Sequence, residues 1–423
     1  MKQHHDHDGD HTHDQNQSRN RDRDRDRDRD RDRPLPLAAL LALAMAGFLT
    51  ILTETLPAGL LLPIAASLSV SESMVGQMVT IYAIGSLVAA IPLVTLTQSW
   101  RRRPLLLLAI AGFAVANSVT SFSSHYGAIM AGRLVAGVSA GVLWALLAGY
   151  AARMVPPHQK GRAIAVAMVG TPLALALGVP LATFIGKLIG WRLCFAAMSG
   201  LALLLMLWVW RKVPDVAGQA AGARRSLGSV LALAGVRPVL WMVLVFVLAH
   251  NILYTYIAPL LAGAGLAERI DVVLLVFGVS ALAGIWITGV LIDRHLRALT
   301  IASHLVFAIA ALLLVLVPAQ PAPVMMYLAV ALWGAAFGGV PTLFQTALDN
   351  AAGAAADVAQ SMLVTAWNLA IAGGGLVGGL LLDRYGVQAF APTVLGLVLA
   401  SLAVAWLAWP VVQPTPDAIP SGR

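Results

Sequence analysis

Glu54 lies in Phe48-Leu-Thr-Ile-Leu-Thr-Glu54-Thr-Leu-Pro57, inside an apolar stretch that runs over residues 36 to 63. It is the one carboxylate placed well inside a predicted membrane span. An ionisable side chain at that depth is costly and marks an ion or proton pathway unless a partner explains it. Its chemistry would be to take up a proton on one side and release it on the other. His250, in Ala249-His250-Asn251, is a second titrating candidate, because imidazole exchanges its proton near neutrality. Pro63 follows Glu54 by nine residues, as Pro259 follows His250 by nine, which places the two at equivalent positions of two related spans. Arg133, in Arg133-Leu-Val-Ala-Gly137-Val-Ser-Ala-Gly141, is the third. Its charge either couples to Glu54 or snorkels to the membrane surface. A further set could line a central cavity: Gln77, Tyr82, Trp144, Asn251, Tyr254, Gln345, Trp367 and Asn368. Amides and phenols offer hydrogen bonds to a hydroxylated solute, and the aromatic faces offer stacking for sugars or flat drugs.

These residues need a scaffold, and composition says which solvent it meets. The chain has 423 residues, 59% hydrophobic and 11% charged, against about 25% charged in soluble domains. Lipid is the expected solvent. Charge is also segregated: nine of the 28 Lys and Arg and ten of the 20 Asp and Glu fall in residues 1–33. The formal charge of +8 therefore does not describe a basic face for nucleic acid. The remaining basic residues sit in short loops. Thirteen lie on the side of the N-terminus, against Lys187, Arg192, Arg269 and Arg384 on the other. That asymmetry predicts cytoplasmic termini. The single cysteine, Cys194, excludes an internal disulfide. The first apolar run is too long for a signal sequence and reads as a membrane span.

Apolar runs of about 20 residues, the length of a helical span, predict twelve transmembrane helices. They are placed at 36–63, 74–98, 104–123, 126–153, 163–188, 192–212, 239–262, 271–292, 299–317, 323–348, 359–382 and 389–411. The organisation expected is a polar tail (1–35), a six-helix bundle (36–212), a cytoplasmic linker (213–238), a second six-helix bundle (239–411) and a C-terminal tail (412–423). The Arg-Asp alternation of residues 21–33 has nothing to bury and predicts a solvated tail. The His- and Asp-rich start (His4, His5, His7, His11, His13) is the one candidate metal-binding cluster, set against a plain polar tail. No metal or cofactor is expected in the spans. Internal symmetry supports two halves. Gly137-x-x-x-Gly141 in the fourth span matches Gly334-x-x-x-Gly338 in the tenth, and Gly178 precedes Gly190 by twelve residues, as Gly374 precedes Gly386.

Three motifs carry a family resemblance. Trp100-Arg101-Arg102-Arg103-Pro104 joins the second and third spans, and Gly289-Val-Leu-Ile-Asp293-Arg294-His-Leu-Arg297 joins the eighth and ninth. Arg133 precedes the spaced glycines Gly137 and Gly141. The fifth span reads Gly170-Thr-Pro172-Leu-Ala-Leu-Ala-Leu-Gly178-Val-Pro180. Together they resemble the major facilitator superfamily over residues 36 to 411. The loop pattern there is Gly-x-x-x-Asp-Arg-x-Gly-Arg-Arg. In this chain Val94 and Gln98 replace the first copy's Gly and Asp. The resemblance implies a cytoplasmic gate at Arg101, Arg102, Arg103, Asp293, Arg294 and Arg297, and a helix-packing or hinge role for Gly137, Gly141, Gly170, Pro172, Gly178 and Pro180. Thr53-Glu54-Thr-Leu-Pro57, Thr80-Ile-Tyr82-Ala and Gly190-Trp191-Arg192 further resemble the drug:proton antiporters of that superfamily, sugar-efflux and arabinose-efflux-type exporters among them. That implies a monomeric carrier of a bacterial inner membrane. It would exchange protons for a small neutral or lipophilic solute. A facilitator, a proton-coupled importer and a non-transporting sensor on the same fold stay open. Nothing in the spans resembles an enzyme's nucleophile, metal or phosphate site.

Overall fold

A computed structural model describes residues 34–90, 93, 96, 97, 99–218, 227–316, 323–408. The N-terminal tail, the C-terminal tail, Val94, Gln98, Arg224 and Arg225 lie outside these residues. Every regular element among them is helical, and ten helices are long and apolar enough to cross a membrane. Large side chains such as Leu108 (59% exposed), Leu204 (66%) and Trp286 (71%) face outward. A soluble surface would not leave so many apolar groups in water, and lipid is the solvent that accepts them.

The first predicted span is broken in two, α1 (Leu37–Gly59) and α2 (Leu61–Leu68). Leu60 leaves helical geometry at φ −115°, ψ 20°. Pro57 lies inside α1, and Pro63 follows three residues after the break; neither can donate to the helical ladder. Then come α3 (Glu72–Ala90), α4 (Arg102–Phe122) and α5 (Tyr126–Arg153). The fifth predicted span is α6 (Lys160–Met168), α7 (Gly170–Leu173), a π-helical turn over Ala174–Gly178, and α8 (Val179–Ile189). Pro180 cannot donate to the carbonyl of Ala176, which accounts for the widened turn just before it. The long α9 (Trp191–Lys212) precedes the linker, which itself forms a short α10 (Leu227–Leu231).

The second set begins with α11 (Val236–Thr255), broken at Tyr256 (φ −109°, ψ 30°) before α12 (Ile257–Gly263). This break matches that at Leu60, as the spacing of Pro63 and Pro259 requires. The eighth and ninth predicted spans appear as one helix, α13 (Ile270–Leu316), with a kink at His295 (φ −132°, ψ 30°). Its 47 residues would reach about 70 Å, more than twice the hydrocarbon thickness, so the kink must turn the chain. α14 (Pro323–Gly338), α15 (Val340–Ala352), α16 (Ala356–Tyr385) and α17 (Phe390–Leu407) complete the fold.

Small residues set the helix contacts. A Cβ on Gly137 would run into the Tyr82 carbonyl of α3, and one on Gly338 into the Ala281 carbonyl of α13. Gly141 packs on Ser86 and Ala89, Gly170 on the backbone of Ala44 and Phe48, and Gly178 on the Phe48 ring. Pro172 is partly buried and Pro180 buried. The two sets of helices meet through α3 against α16 and through α8 and the π turn against α13.

Candidate functional site

Two clusters face each other from α1 and α11. In the first, Arg133 of α5 is fully buried, at 0% exposure. Its Nη1 donates to the Thr53 carbonyl (2.6 Å), Nη2 to the Glu54 carbonyl (3.2 Å) and Nε to the Met78 carbonyl (3.2 Å). Its guanidinium also lies 4.9 Å from the centre of the Tyr82 ring, a cation–π distance. The snorkelling alternative for Arg133 is therefore not the arrangement found. Tyr82 Oη donates to the Thr50 carbonyl (3.2 Å), and Asn117 Nδ2 donates to Thr53 Oγ1 (3.1 Å). The Glu54 side chain is half-buried. Tyr82, Arg133 and Tyr254 lie within electrostatic range of its carboxylate. Among the described residues no hydrogen bond or ion pair reaches that carboxylate.

The second cluster is aromatic. The His250 ring stacks on Phe337 (3.6 Å between centres, 9°) and on Tyr254 (5.3 Å, 28°), with Phe277 and Trp333 on its borders. Trp333 Nε1 donates to His250 Nδ1 (3.1 Å). An indole N–H can only donate, so Nδ1 carries no proton here. The Tyr254 hydroxyl is buried without a hydrogen-bond partner among the described residues, and it belongs to the set that feels Glu54. Trp367 borders Phe337 (6.2 Å). Phe277, Trp333 and Phe337 were not singled out from the sequence. The signal available was the four-residue spacing of Trp333 and Phe337, which puts both on one helix face.

The other cavity candidates separate. Trp144 sits beside Gly47, where α1 passes α5. Asn251 and Asn368 each donate to the carbonyl one turn back on their own helix, Val247 and Val364. Gln345 is exposed, with its carbonyl taken by Gln360. Gln77 lies not with Glu54 but in a junction between the two helix sets. Its Nε2 donates to the Gly375 carbonyl (3.2 Å) and to Tyr256 Oη (3.4 Å). Tyr256 Oη donates to the Gly375 carbonyl (2.7 Å). Thr80 donates to the Ala372 carbonyl (3.4 Å). At the same end Lys187 pairs with Asp271.

At the opposite end Arg101 Nε bonds Asp215 (2.5 Å), the Arg103 N–H bonds the same carboxylate (3.2 Å), and the Arg102 N–H bonds the Val216 carbonyl (2.9 Å). Tyr150 and Arg153 add bonds to the Pro214 and Ala217 carbonyls. The Arg101–Arg103 run thus clasps the start of the linker. Asp293, Arg294 and Arg297 are not buried, and Arg297 lies over Trp406 (5.8 Å). Among the described residues no group of three or more His, Cys, Asp or Glu could hold a metal ion.

Paired helix breaks, lipid-facing surfaces, a fully buried Arg133 inside the first helix set and a half-buried Glu54 beside it are the features of a multi-pass membrane transporter rather than an enzyme. The family model of the Major Facilitator Superfamily matches residues 43–374, and the chain belongs to that superfamily. The purine ribonucleoside efflux pump NepI of Escherichia coli (strain K12) is 28% identical over 340 residues, 80% of this chain and 85% of that protein. The pump of the same name from Shigella dysenteriae serotype 1 is also 28% identical, over 86% of its length. Among solved structures, the D-xylose–proton symporter superposes with a TM-score of 0.71 at 16% identity, covering 88% of this chain and 98% of that one. A bacterial homolog of the human lysosomal transporter Spinster, inward-facing and occupied, gives 0.70 at 14% identity, covering 91% and 100%. At these identities the structures show the fold alone.

Proposed function

We propose that the chain is a proton-coupled exporter of a small, neutral solute carrying a flat ring, a purine nucleoside being the first candidate, with sugars and lipophilic drugs as the wider class. The observation that carries the reading is Glu54: an unpaired carboxylate, half-buried between two helix sets, facing the orphan hydroxyl of Tyr254. The names of the NepI relatives support export and the nucleoside class. We count twelve spans in two six-helix bundles: α13 is two spans joined at His295, and α3 is one more than the ten apolar helices. With cytoplasmic termini, the junction at Gln77, Tyr256 and Lys187 closes the outside, so the described state faces inward.

In this state a deprotonated Glu54 faces the cytoplasmic cavity, and solute loads beside it. The halves then rock, and a proton entering from outside neutralises the carboxylate and releases the solute. Neutralisation also lowers the cost of enclosing the carboxyl in a dry cavity on return. Exchange follows if proton and solute favour opposite states. His250, its Nδ1 occupied by Trp333, would order the aromatic wall and tune Glu54 rather than carry the proton itself. The linker clasp at Arg101–Arg103 and the outward-lying Asp293, Arg294 and Arg297 would form the inner gate.

The test uses proteoliposomes with a trapped pH dye, wild type and Glu54→Gln, given adenosine, neutral sugars and lipophilic drugs in turn. Solute-driven proton movement in wild type, lost in the variant, is the expected result. Solute movement without protons in both would make the chain a facilitator. Saturable binding without movement would make it a sensor.

A further inference from the structure

Pro57 has no N–H, so the carbonyl four residues earlier on α1 loses its helical partner. That carbonyl belongs to Thr53. It is the oxygen to which Arg133 Nη1 donates, at 2.6 Å. The second guanidinium arm takes the next carbonyl, Glu54, and Nε reaches across to Met78 of α3. The bonds described for Arg133 go to main-chain oxygens, and among the described residues it makes no ion pair.

The second half of the chain supplies a control. The position equivalent to Pro57, three residues after His250, is Leu253. The position equivalent to Arg133, four residues before Gly334, is Val330. Where the helix keeps its backbone donor, no arginine is present. In the first half both depart together, although the break at Leu60 and that at Tyr256 are alike. The arginine is therefore matched to Pro57 rather than to the shared break.

A buried cation without a carboxylate is expensive. Here three carbonyl dipoles and the Tyr82 ring meet it, and hydrogen bonds to a charged donor are the stronger kind. The arrangement joins α1, α3 and α5 at the turn that presents Glu54.

We propose that Arg133 is the positioning residue for Glu54. It replaces the backbone donor that Pro57 removes, and so fixes the carboxyl-bearing turn while leaving the carboxylate itself unpaired. This deepens the reading of Glu54 as the proton carrier, but the bond to Thr53 stands without it.

The test is a cycle of four proteins: wild type, Arg133→Gln, Pro57→Ala and the double variant. Pro57→Ala restores an N–H to the Thr53 carbonyl. Arg133→Gln should lower the melting temperature in detergent by about 3 °C or more with Pro57 in place, and by less than about 1 °C in the Pro57→Ala background. Equal losses in the two backgrounds would overturn the proposal. If Arg133→Gln does not fold, Arg133→Lys takes its place. Its compact ammonium lacks the fork that reaches the Thr53, Glu54 and Met78 carbonyls together, and the same rescue by Pro57→Ala is expected. The second readout is the pH midpoint of carbodiimide labelling at Glu54. It should move with Arg133→Gln when Pro57 is present and move less in the Pro57→Ala background, where the turn is held without the arginine. A midpoint indifferent to Arg133 would show that the residue does not act on Glu54. Neither readout uses transport, so a failure of Glu54→Gln to uncouple protons in proteoliposomes would remove the proton carrier and leave the Pro57 repair intact.

Discussion

Replacing Gln77 by Leu should loosen the junction that joins the two helix sets at Gln77, Tyr256 and Gly375. Gln77 Nε2 reaches the Gly375 carbonyl at 3.2 Å and Tyr256 Oη at 3.4 Å, and both contacts cross between the helix sets. Leu fills much the same volume and makes neither. Tyr256 Oη keeps its own bond to Gly375 (2.7 Å), so no buried carbonyl is orphaned and the loss is the net worth of two long bonds. At about 0.5–1.5 kcal/mol each, the joined state loses about 1–3 kcal/mol, which is about a 5- to 160-fold shift toward the open one. The assay is a distance between spin labels attached through Ser124→Cys and Arg384→Cys, exposed positions on the same end of the two halves. Native Cys194 is buried and is replaced by Ala. A longer-distance population should grow in Gln77→Leu without any ligand. If the distribution is unchanged while solute affinity falls, Gln77 contacts the solute and the latch argument is wrong.

Two further perturbations address the ends of the molecule. Lys187 and Asp271 are 27% and 15% exposed, and such a pair contributes about 1 kcal/mol or less. Lys187→Asp should reduce transport and widen the same label distance, and Lys187→Asp with Asp271→Lys should restore both; failure of the swap would assign the loss to packing. At the other end the Asp215 carboxyl is held below the ordinary carboxylate range. Partial desolvation acts upward, but the bonds from Arg101 and the Arg103 N–H, with their charges, outweigh it. A lowered value means the clasp is fully held above the ordinary carboxylate range and is released as pH falls through the lowered value. Asp215→Asn should therefore speed tryptic cleavage at Arg211 and Lys212 alike at neutral pH and in mild acid, where the carboxylate is still charged; unchanged cleavage would show that the carboxylate charge holds nothing.

The helical, lipid-facing fold was legible because length and apolarity suffice to mark a span. The paired breaks at Leu60 and Tyr256 followed from matched proline spacing, and the close packing at Gly137 and Gly338 from matched glycines. The chemistry was legible in type but less in placement. Glu54 stood out because a carboxylate in an apolar run has no cheap explanation. Whether Arg133 reached the surface or the core depended on which helices flank α5, and spacing along one chain does not decide that. Gln77 and Gln345 have the polarity of cavity residues but lie near the two ends, because hydropathy gives depth only coarsely. The connection read between the eighth and ninth spans corresponds to the kink at His295 inside one helix, α13. Phe277, Trp333 and Phe337 were passed over because aromatic residues in an apolar span, even two sharing a helix face, look like ordinary packing until their partner, His250, is placed among them.

The two halves have parted at equivalent positions, and the difference argues for a division of labour. Glu54 keeps a free carboxylate beside a fixed charge. His250, its counterpart, is stacked between Phe337 and Tyr254 and accepts the Trp333 N–H. To protonate Nδ1 the ring must surrender that bond and leave a fully buried indole N–H unpaired, a cost of about 1–3 kcal/mol. Aromatic character therefore matters more at 250 than basicity. His250→Phe should keep the number of protons moved per solute. It should lower stability through the orphaned Trp333 N–H, and Trp333→Phe in the same chain should recover part of that loss. Because the two residues touch, the cycle should be non-additive. Proton movement abolished in His250→Phe, with solute movement retained, would instead place the imidazole in the proton path beside Glu54.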